Sequence, residues 1–370
     1  MTPSPRARGG EATGESGPWW PELAPRIETS RAPKPTGPCV DVHTHLSVPS
    51  AAALAKPHFR AEYEPRSLYS SEETIRYNSE YRASALNTAQ FEDAEQRLSD
   101  MDAQGVDMQV LAVPPTEYFY WLPESEALRA NRIQHERLAE VVAKWPQRFA
   151  AVANVPMNHP ALAVQVLREA RHDFGFRGVE ISADVLGLDL DDRRFDPVWE
   201  AITELDMMVI LHPQGFTHGQ RFTDYYLVNV MCMPLASTLA LTRMILGGVF
   251  QRHPQLRVLV VHGGGYLPFY IARTDHAWRV RPELRHHLDV PPSEVMRSIY
   301  VDTNVFDPRM VRQLVDDLGA GHVLMGTDYP FDMSTVDPVG FLADVALSDH
   351  DRNLVLGGNA IRLLGIDTLR

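Results

Sequence analysis

Cys39-Val40-Asp41-Val42-His43-Thr44-His45 is a short apolar run that ends in two histidines one residue apart. Successive side chains of a β-strand point to opposite faces, so His43 and His45 share a face, with Asp41 on that face one layer deeper. Seven further runs rich in β-branched residues follow, at 108–114, 149–156, 177–182, 207–213, 257–263, 299–304 and 322–328. Stretches of helical periodicity lie between them, at 91–104, 124–144, 160–173, 195–205 and 308–318. Strand–helix alternation implies parallel pairing with right-handed crossovers. Eight repeats favour an α/β fold of the (β/α)8 TIM-barrel type over an open doubly wound sheet. The first strand is followed by no glycine-rich dinucleotide fingerprint, which also counts against the open sheet.

The chain has 370 residues, of which 44% are hydrophobic and 22% charged, globular values that exclude full disorder. With 35 basic and 48 acidic residues the net charge is −13, which argues against nucleic-acid binding. Two cysteines are too few for a disulfide framework. No apolar run suggests a membrane span, and no apolar segment after Met1 suggests secretion. A cytoplasmic protein without a membrane partner is expected. Residues 1–38 hold eight prolines and five glycines without periodicity, and read as a largely flexible arm before a barrel domain at 39–370. Trp19 and Trp20 are its exception, expected to pack on the body or on a neighbour. Two long connections, 46–90 and 214–233, follow strand C-termini, where barrel enzymes place their active sites, and the first is a candidate lid.

The chemistry-bearing residues recur at strand ends. His212 closes Val209-Ile210-Leu211-His212, His262 closes Val258-Leu259-Val260-Val261-His262, and Asp328 closes Leu324-Met325-Gly326-Thr327-Asp328. Each alone reads more readily as a satisfied core polar group. One His-x-His pair is weak evidence too, since about 0.6 such pairs arise by chance among 15 histidines in 370 residues. Five polar groups converging on one barrel mouth point instead to a metal, because imidazole and carboxylate suit zinc and related ions. Asp41 is a candidate orienter of a ligand histidine, or equally a buried structural carboxylate. Only Lys34, Lys56 and Lys144 are lysines, and none falls on a strand, so no lysine carbamate can bridge two metals. Glu180 is the one substitute, and a single ion is favoured. Gly263, Gly264 and Gly265 permit close backbone approach beside His262. Arg273, in the next helix, suits bidentate carboxylate binding or a surface ion pair.

The motifs Asp41-Val42-His43-Thr44-His45, 97–106, His212-Pro213, Gly247-Gly248-Val249-Phe250, His262-Gly263-Gly264-Gly265, Gly326-Thr327-Asp328-Tyr329-Pro330-Phe331 and Gly358-Asn359-Ala360 resemble the amidohydrolase superfamily. Within it they are similar to the branch typified by aminocarboxymuconate semialdehyde decarboxylase. The resemblance runs over residues 40–366. It implies that His43, His45, His212 and Asp328 hold one divalent metal, zinc first and manganese as the alternative, with no organic cofactor. It implies His262 as acid/base and Arg273 as a carboxylate-binding arginine reaching across a dimer interface. It places Tyr226 where the type enzyme has an active-site tryptophan. Three positions depart: Thr88 replaces a second substrate arginine, Gln214 a tryptophan and His218 a methionine.

The expected activity is a metal-dependent, non-oxidative decarboxylation of a planar aromatic or unsaturated carboxylic acid, with His262 and Asp328 handling protons. The alternative is a metal-dependent hydrolase that attacks a carbonyl, ester, lactone or amide with hydroxide generated at the metal, Gln214 and His218 steadying the oxyanion. Gln214, Phe216, His218, Tyr226 and Arg273 are the expected substrate contacts, Tyr329 and Phe331 add ring surface, and Thr88 points to a monocarboxylate. A homodimer or dimer-based oligomer is expected.

Overall fold

The computed structural model describes residues 27–366, so Trp19 and Trp20 lie outside the described residues. Eight parallel strand positions follow in order: β1 (Val40–His45), β2 (Met108–Ala112), β3 (Phe149–Ala151, resuming as Ala153–Asn154), β4 (Gly178–Ile181), β5 (Met208–Leu211), β6 (Arg257–Val260), β7 (Tyr300–Asp302) and β8 (Val323–Leu324). The first half of β3 pairs with β2 and the second half with β4, so one broken strand joins two sheets. The ring closes beyond β8, where His45 N donates to Tyr329 O at 2.8 Å and Asp328 N to His43 O at 2.9 Å. The backbone thus forms a closed barrel, as expected from the eight repeats.

Val42, Val110, Val152, Met208, Ile210, Leu259 and Leu324 form one buried apolar cluster, which the alternation of strand side chains places inside the barrel, with Leu363 and Leu364 joining it. The residues between them, such as Val179, Val209, Val258 and Val301, pack outward with Leu167, Ile202 and Leu314 of the surrounding helices. Helices Glu124–Lys144 and Pro308–Leu318 occupy the ranges read from periodicity. The helix expected at 91–104 starts later, at Ala94, because Asp93 caps it by accepting from Glu95 N at 2.8 Å. Phe91 belongs to the preceding helix, Ala85–Glu92. The connection expected as a loop lid is largely helical, with Pro49–Ala55, Glu72–Ala83 and Ala85–Glu92, the last two capped by Ser71 and Ser84. Glu72–Ala83 is polar and mostly exposed, and Pro49–Ala55 and Ala85–Glu92 are short, so their apolar periodicity is faint. The apolar stretch Leu227–Leu246 is long enough by composition to cross a membrane, but half of it is buried, and Leu241, Met244 and Ile245 belong to the core.

Residues 27–38, read as part of the arm, are hydrogen-bonded to the barrel. Ser30 N donates to Ala103 O at 2.9 Å, and Lys34 Nζ to Asp107 Oδ1 at 2.5 Å.

Arg97, fully buried, binds the first outer helix to the barrel mouth. Its Nη1 donates to the carbonyls of His45 at 2.7 Å and Gln90 at 3.1 Å, its Nε to Gln109 Oε1 at 3.1 Å, and its Cζ lies 4.6 Å from the Tyr329 ring centroid. Burial holds its pKa down, to about 10. Arg97→Ala removes a buried, charge-assisted network and is expected to lower the unfolding free energy by about 3 kcal/mol, measured by urea denaturation.

Candidate metal centre

Strand ends deliver the site. His43 and His45 end β1, His212 follows β5 directly, and Asp328 lies just past β8. All four are buried, and one ligand atom from each falls within 4.8 Å of the others. Asp328 Oδ1 is 3.3 Å from His43 Nε2, 3.2 Å from His45 Nε2 and 3.9 Å from His212 Nε2. Those three nitrogens and Asp328 Oδ1 have no hydrogen-bond partner among the described residues. Buried polar atoms are costly when unpaired, so four of them facing one point fit a cation there.

The other ring nitrogens explain why the Nε2 atoms are free to ligate. His45 Nδ1 lies 3.2 Å from Val113 O, and His212 Nδ1 2.9 Å from Pro213 O. A carbonyl only accepts, so each Nδ1 carries the proton and each Nε2 a lone pair. His43 Nδ1 lies 2.7 Å from Asp302 Oδ2, and both side chains are fully buried. Asp302 Oδ1 accepts from Gly263 N at 2.7 Å. Sequence reasoning missed Asp302, although it ends β7 (Tyr300–Asp302) as the ligands end their strands.

Of the two readings of Asp41, the structure fits the buried structural carboxylate. Between Asp41 and Thr44 the pairing of β1 with β2 slips by one residue. Asp41 therefore pairs with Gln109, which Arg97 of the outer helix contacts, while His45 pairs with Ala112 of the barrel interior. The bulge breaks the simple alternation that put Asp41 and His45 on one face. Asp41 accepts from Thr327 Oγ1 at 2.6 Å and Thr327 N at 3.1 Å, tying β1 to the segment that leads to Asp328. Burial pushes its pKa up to about 7 against those hydrogen bonds.

The ionisation of the cluster suits a cation. Burial alone would raise Asp328, but the charge of His43 and the close imidazoles of His212 and His262 hold it well below the usual carboxylate range. Burial lowers His45 and His212, favouring the neutral imidazole that ligates. Burial also acts downward on His43, but Asp328 and Asp302 outweigh it and raise it. Glu180 stands aside from the four-residue group. Its Oε1 accepts from Tyr118 Oη at 2.8 Å, lies 4.0 Å from His45 Nδ1, and burial raises its pKa to about 8.

His262 follows β6 in a left-handed turn, with φ 56° there and 62° at Gly263. A β-carbon at Gly263 would collide with Val305, and one at Gly265 with Pro234 O, so the close approach expected of these glycines is a packing requirement. His262 Nε2 lies 3.6 Å from Asp328 Oδ2. Both residues line a cavity of about 270 Å³ whose other walls include Met233, Phe269, Phe306, Met310 and Met333.

The expected substrate contacts do not line this cavity. Gln214 Nε2 donates to Glu64 Oε2 at 2.9 Å. Phe216 packs on the core, and His218 is exposed, edge-on to it. Tyr226 Oη donates to Asp332 Oδ1 at 3.1 Å and faces a second cavity with Tyr77 and Tyr225. Arg273 is exposed on helix Leu267–Val280. Tyr329 is fully buried, its hydroxyl donating to Asp100 Oδ2 at 2.7 Å. Phe331 packs edge-on to His45, centroids 5.2 Å apart. Thr88 Oγ1 donates to Arg82 O at 2.9 Å.

His43→Ala and Asp328→Ala are expected to abolish metal binding. Asp302→Asn keeps the shape but removes the charge that orients His43, and is expected to weaken metal affinity roughly 10- to 100-fold, read by chelator competition.

A family model described as Amidohydrolase matches residues 40–366. A 2-amino-3-carboxymuconate-6-semialdehyde decarboxylase from Dictyostelium discoideum is 34% identical over 277 residues, covering 74% of this chain and 77% of the relative. A gamma-resorcylate decarboxylase from Rhizobium radiobacter is 26% identical over 293 residues, 73% of this chain and 86% of the relative. Among solved structures, a 5-carboxyvanillate decarboxylase from Novosphingobium aromaticivorans, complexed with manganese and 4-hydroxy-3-methoxy-5-nitrobenzoic acid, superposes with a TM-score of 0.78 at 19% identity. That match covers 92% of this chain and 100% of the other. These relatives share a carbon–carbon lyase activity, and the chain belongs to the amidohydrolase family.

Proposed function

We propose that the chain is a metal-dependent, non-oxidative decarboxylase of a planar aromatic or unsaturated carboxylic acid. The observation that carries this reading is the meeting of the His43, His45, His212 and Asp328 cluster with a cavity that His262 and Asp328 both line. One divalent ion, zinc by the match of its preferences to imidazole and carboxylate or manganese as in the carboxyvanillate decarboxylase, supplies a fixed positive charge that attracts an anionic substrate oxygen and withdraws electron density from the attached ring.

The chain's residues do the rest. The thioether and ring faces of Met233, Phe269, Phe306, Met310 and Met333 exclude water and suit a flat ligand. Asp328 presents Oδ1 to the three ligand histidines and Oδ2 to His262. His262, whose Nε2 lies 3.6 Å from Asp328 Oδ2, delivers a proton to the carbon that bears the carboxylate. The bond to the carboxylate carbon then breaks, its electron pair returns to the conjugated system, and CO2 leaves. Solvent restores the proton through His262, which is partly exposed. The hydrolase alternative loses support because Gln214 is engaged by Glu64 and His218 faces outward.

Assembly follows from the same face. Helix Leu267–Val280 buries only Leu267 and Pro268 and exposes Tyr270, and Val230 and Phe306, which line the cavity, are exposed as well. We propose that a second copy covers this face and that Arg273 serves the partner's site, binding substrate carboxylate. The two buried free thiols, Cys39 and Cys232, fit a reducing, cytoplasmic setting.

Turnover of a hydroxylated aromatic acid in deuterated water is expected to release CO2 and place one deuterium on the vacated carbon, read by product mass. A new carboxylate without CO2 would indicate the hydrolase. His262→Ala is expected to keep the ion and lose about 10²–10⁴ in rate. Sedimentation is expected to show a dimer, and Arg273→Ala to weaken substrate use ~10- to 150-fold without loss of metal.

A further inference from the structure

The cavity that His262 and Asp328 line holds a polar side chain that proton transfer does not use. Asn304, just past the end of β7, is 3% exposed and lines that cavity. Its backbone N donates to Asp302 Oδ1 at 3.3 Å, beside the carboxylate that holds His43 and the turn of His262. Its Nδ2 donates to Thr327 O at 2.8 Å and Thr335 Oγ1 at 3.3 Å, with Met333 O 3.5 Å away. Carbonyls only accept, so the amide is fixed with its nitrogen toward the 327–335 segment. Oδ1, on the other side of the amide, accepts from no donor among the described residues and stays open to the cavity.

The other polar side chains of this wall differ from it. Tyr266 Oη donates to Val230 O at 3.4 Å, and Asn229 is partly exposed on helix Leu227–Val230. His262 and Asp328 face each other at 3.6 Å. The rest of the wall is mainly thioether, ring and aliphatic surface, from Met233 and Phe269 to Val305 and Met310. An amide oxygen withdrawn from water and left without a donor raises the free energy of the site. A ligand that brings a donor satisfies it. A ligand that brings an oxygen without a hydrogen sets lone pair against lone pair. A site built around a buried hydrogen bond rejects the analogue that lacks it more sharply than an apolar wall does.

We propose that Asn304 is a specificity residue whose Oδ1 accepts a hydrogen bond from a neutral donor on the substrate ring, a phenolic hydroxyl or an aryl amine, and disfavours an ether or a carboxylate at that position. The inference rests on the decarboxylase reading and narrows it to an acid that carries such a donor in addition to the oxygens that meet the metal. Asn304 takes no part in proton transfer. Its Nδ2 bonds to the 327–335 segment keep Oδ1 aimed at the ligand.

The test is calorimetric titration of metal-loaded protein with salicylate and with its hydroxy, amino and methoxy derivatives at every open ring position. Wild type is expected to bind the hydroxy or amino compound of one position about tenfold more tightly than salicylate, and the methoxy compound of that position no more tightly than salicylate. Asn304→Leu is expected to erase that gain with metal content unchanged. A role confined to holding the 327–335 segment would weaken salicylate and its derivatives alike and leave the gain in place. The proposal is overturned if no hydroxy or amino derivative gains over salicylate and over its methoxy counterpart in wild type, or if Asn304→Leu keeps the gain. If Asn304→Leu loses metal, a sign of misfolding, Asn304→Ser decides by the same ratio, since its short hydroxyl still offers the segment a donor and withdraws the acceptor from the cavity. If salicylate is decarboxylated but no donor improves binding, the inference alone fails. If neither salicylate nor any derivative binds wild type, the decarboxylase reading fails and the inference with it.

Discussion

One carboxylate organises the barrel mouth. Asp302, at the end of β7, gives one oxygen to His43 Nδ1 and the other to Gly263 N, each at 2.7 Å. The first bond fixes the tautomer and ring orientation of a β1 histidine. The second holds the left-handed turn that carries His262. Burying an ion costs several kcal/mol unless donors meet it, and here two segments far apart in the chain both depend on doing so. His262 and Asp328 themselves sit at positive φ, 56° and 69°. Such backbone costs on the order of 1–3 kcal/mol per residue and persists where the surroundings impose it.

The barrel separates two tasks. Its interior below the mouth is apolar and packed, from Val42 and Val110 to Ile210 and Leu259. Its mouth holds a buried set of imidazoles and carboxylates that no apolar core would tolerate unsatisfied. Arg97 links these layers to the outer helices by bonding the carbonyl of His45 itself. Stability and reactivity therefore meet at β1, whose bulge turns Asp41 toward the helix layer and His45 toward the mouth.

What the sequence showed was local. Eight apolar runs announced the strands, and a polar residue ending each of several runs announced the ligands. Helices 124–144 and 308–318 were legible because an apolar stripe faces the core. Asp41 stayed open between a ligand orienter and a buried structural carboxylate because the one-residue register slip that decides for the second is invisible to a rule of strict alternation. Asp302 was passed over because its partners lie 259 and 39 residues away, and nothing near it in the chain signals them. Gln214 likewise meets Glu64 across 150 residues, which removed it from the pocket wall where its position in the chain had put it. After β1, helix Glu72–Ala83 carries too little apolar surface to announce itself, and its neighbours Pro49–Ala55 and Ala85–Glu92 are too short to show a period.

The central claim is that three Nε2 lone pairs and the Asp328 carboxylate converge on one ion. It is tested most directly by anomalous diffraction from crystals of the metal-loaded protein, recorded at the absorption edge of the ion. The account predicts a single peak within bonding distance, ~2.0–2.2 Å, of His43, His45 and His212 Nε2 and of an Asp328 oxygen. A peak bonded to His262 in place of one of these, a second peak bridged by Glu180, or an ion bound away from the barrel mouth would contradict it.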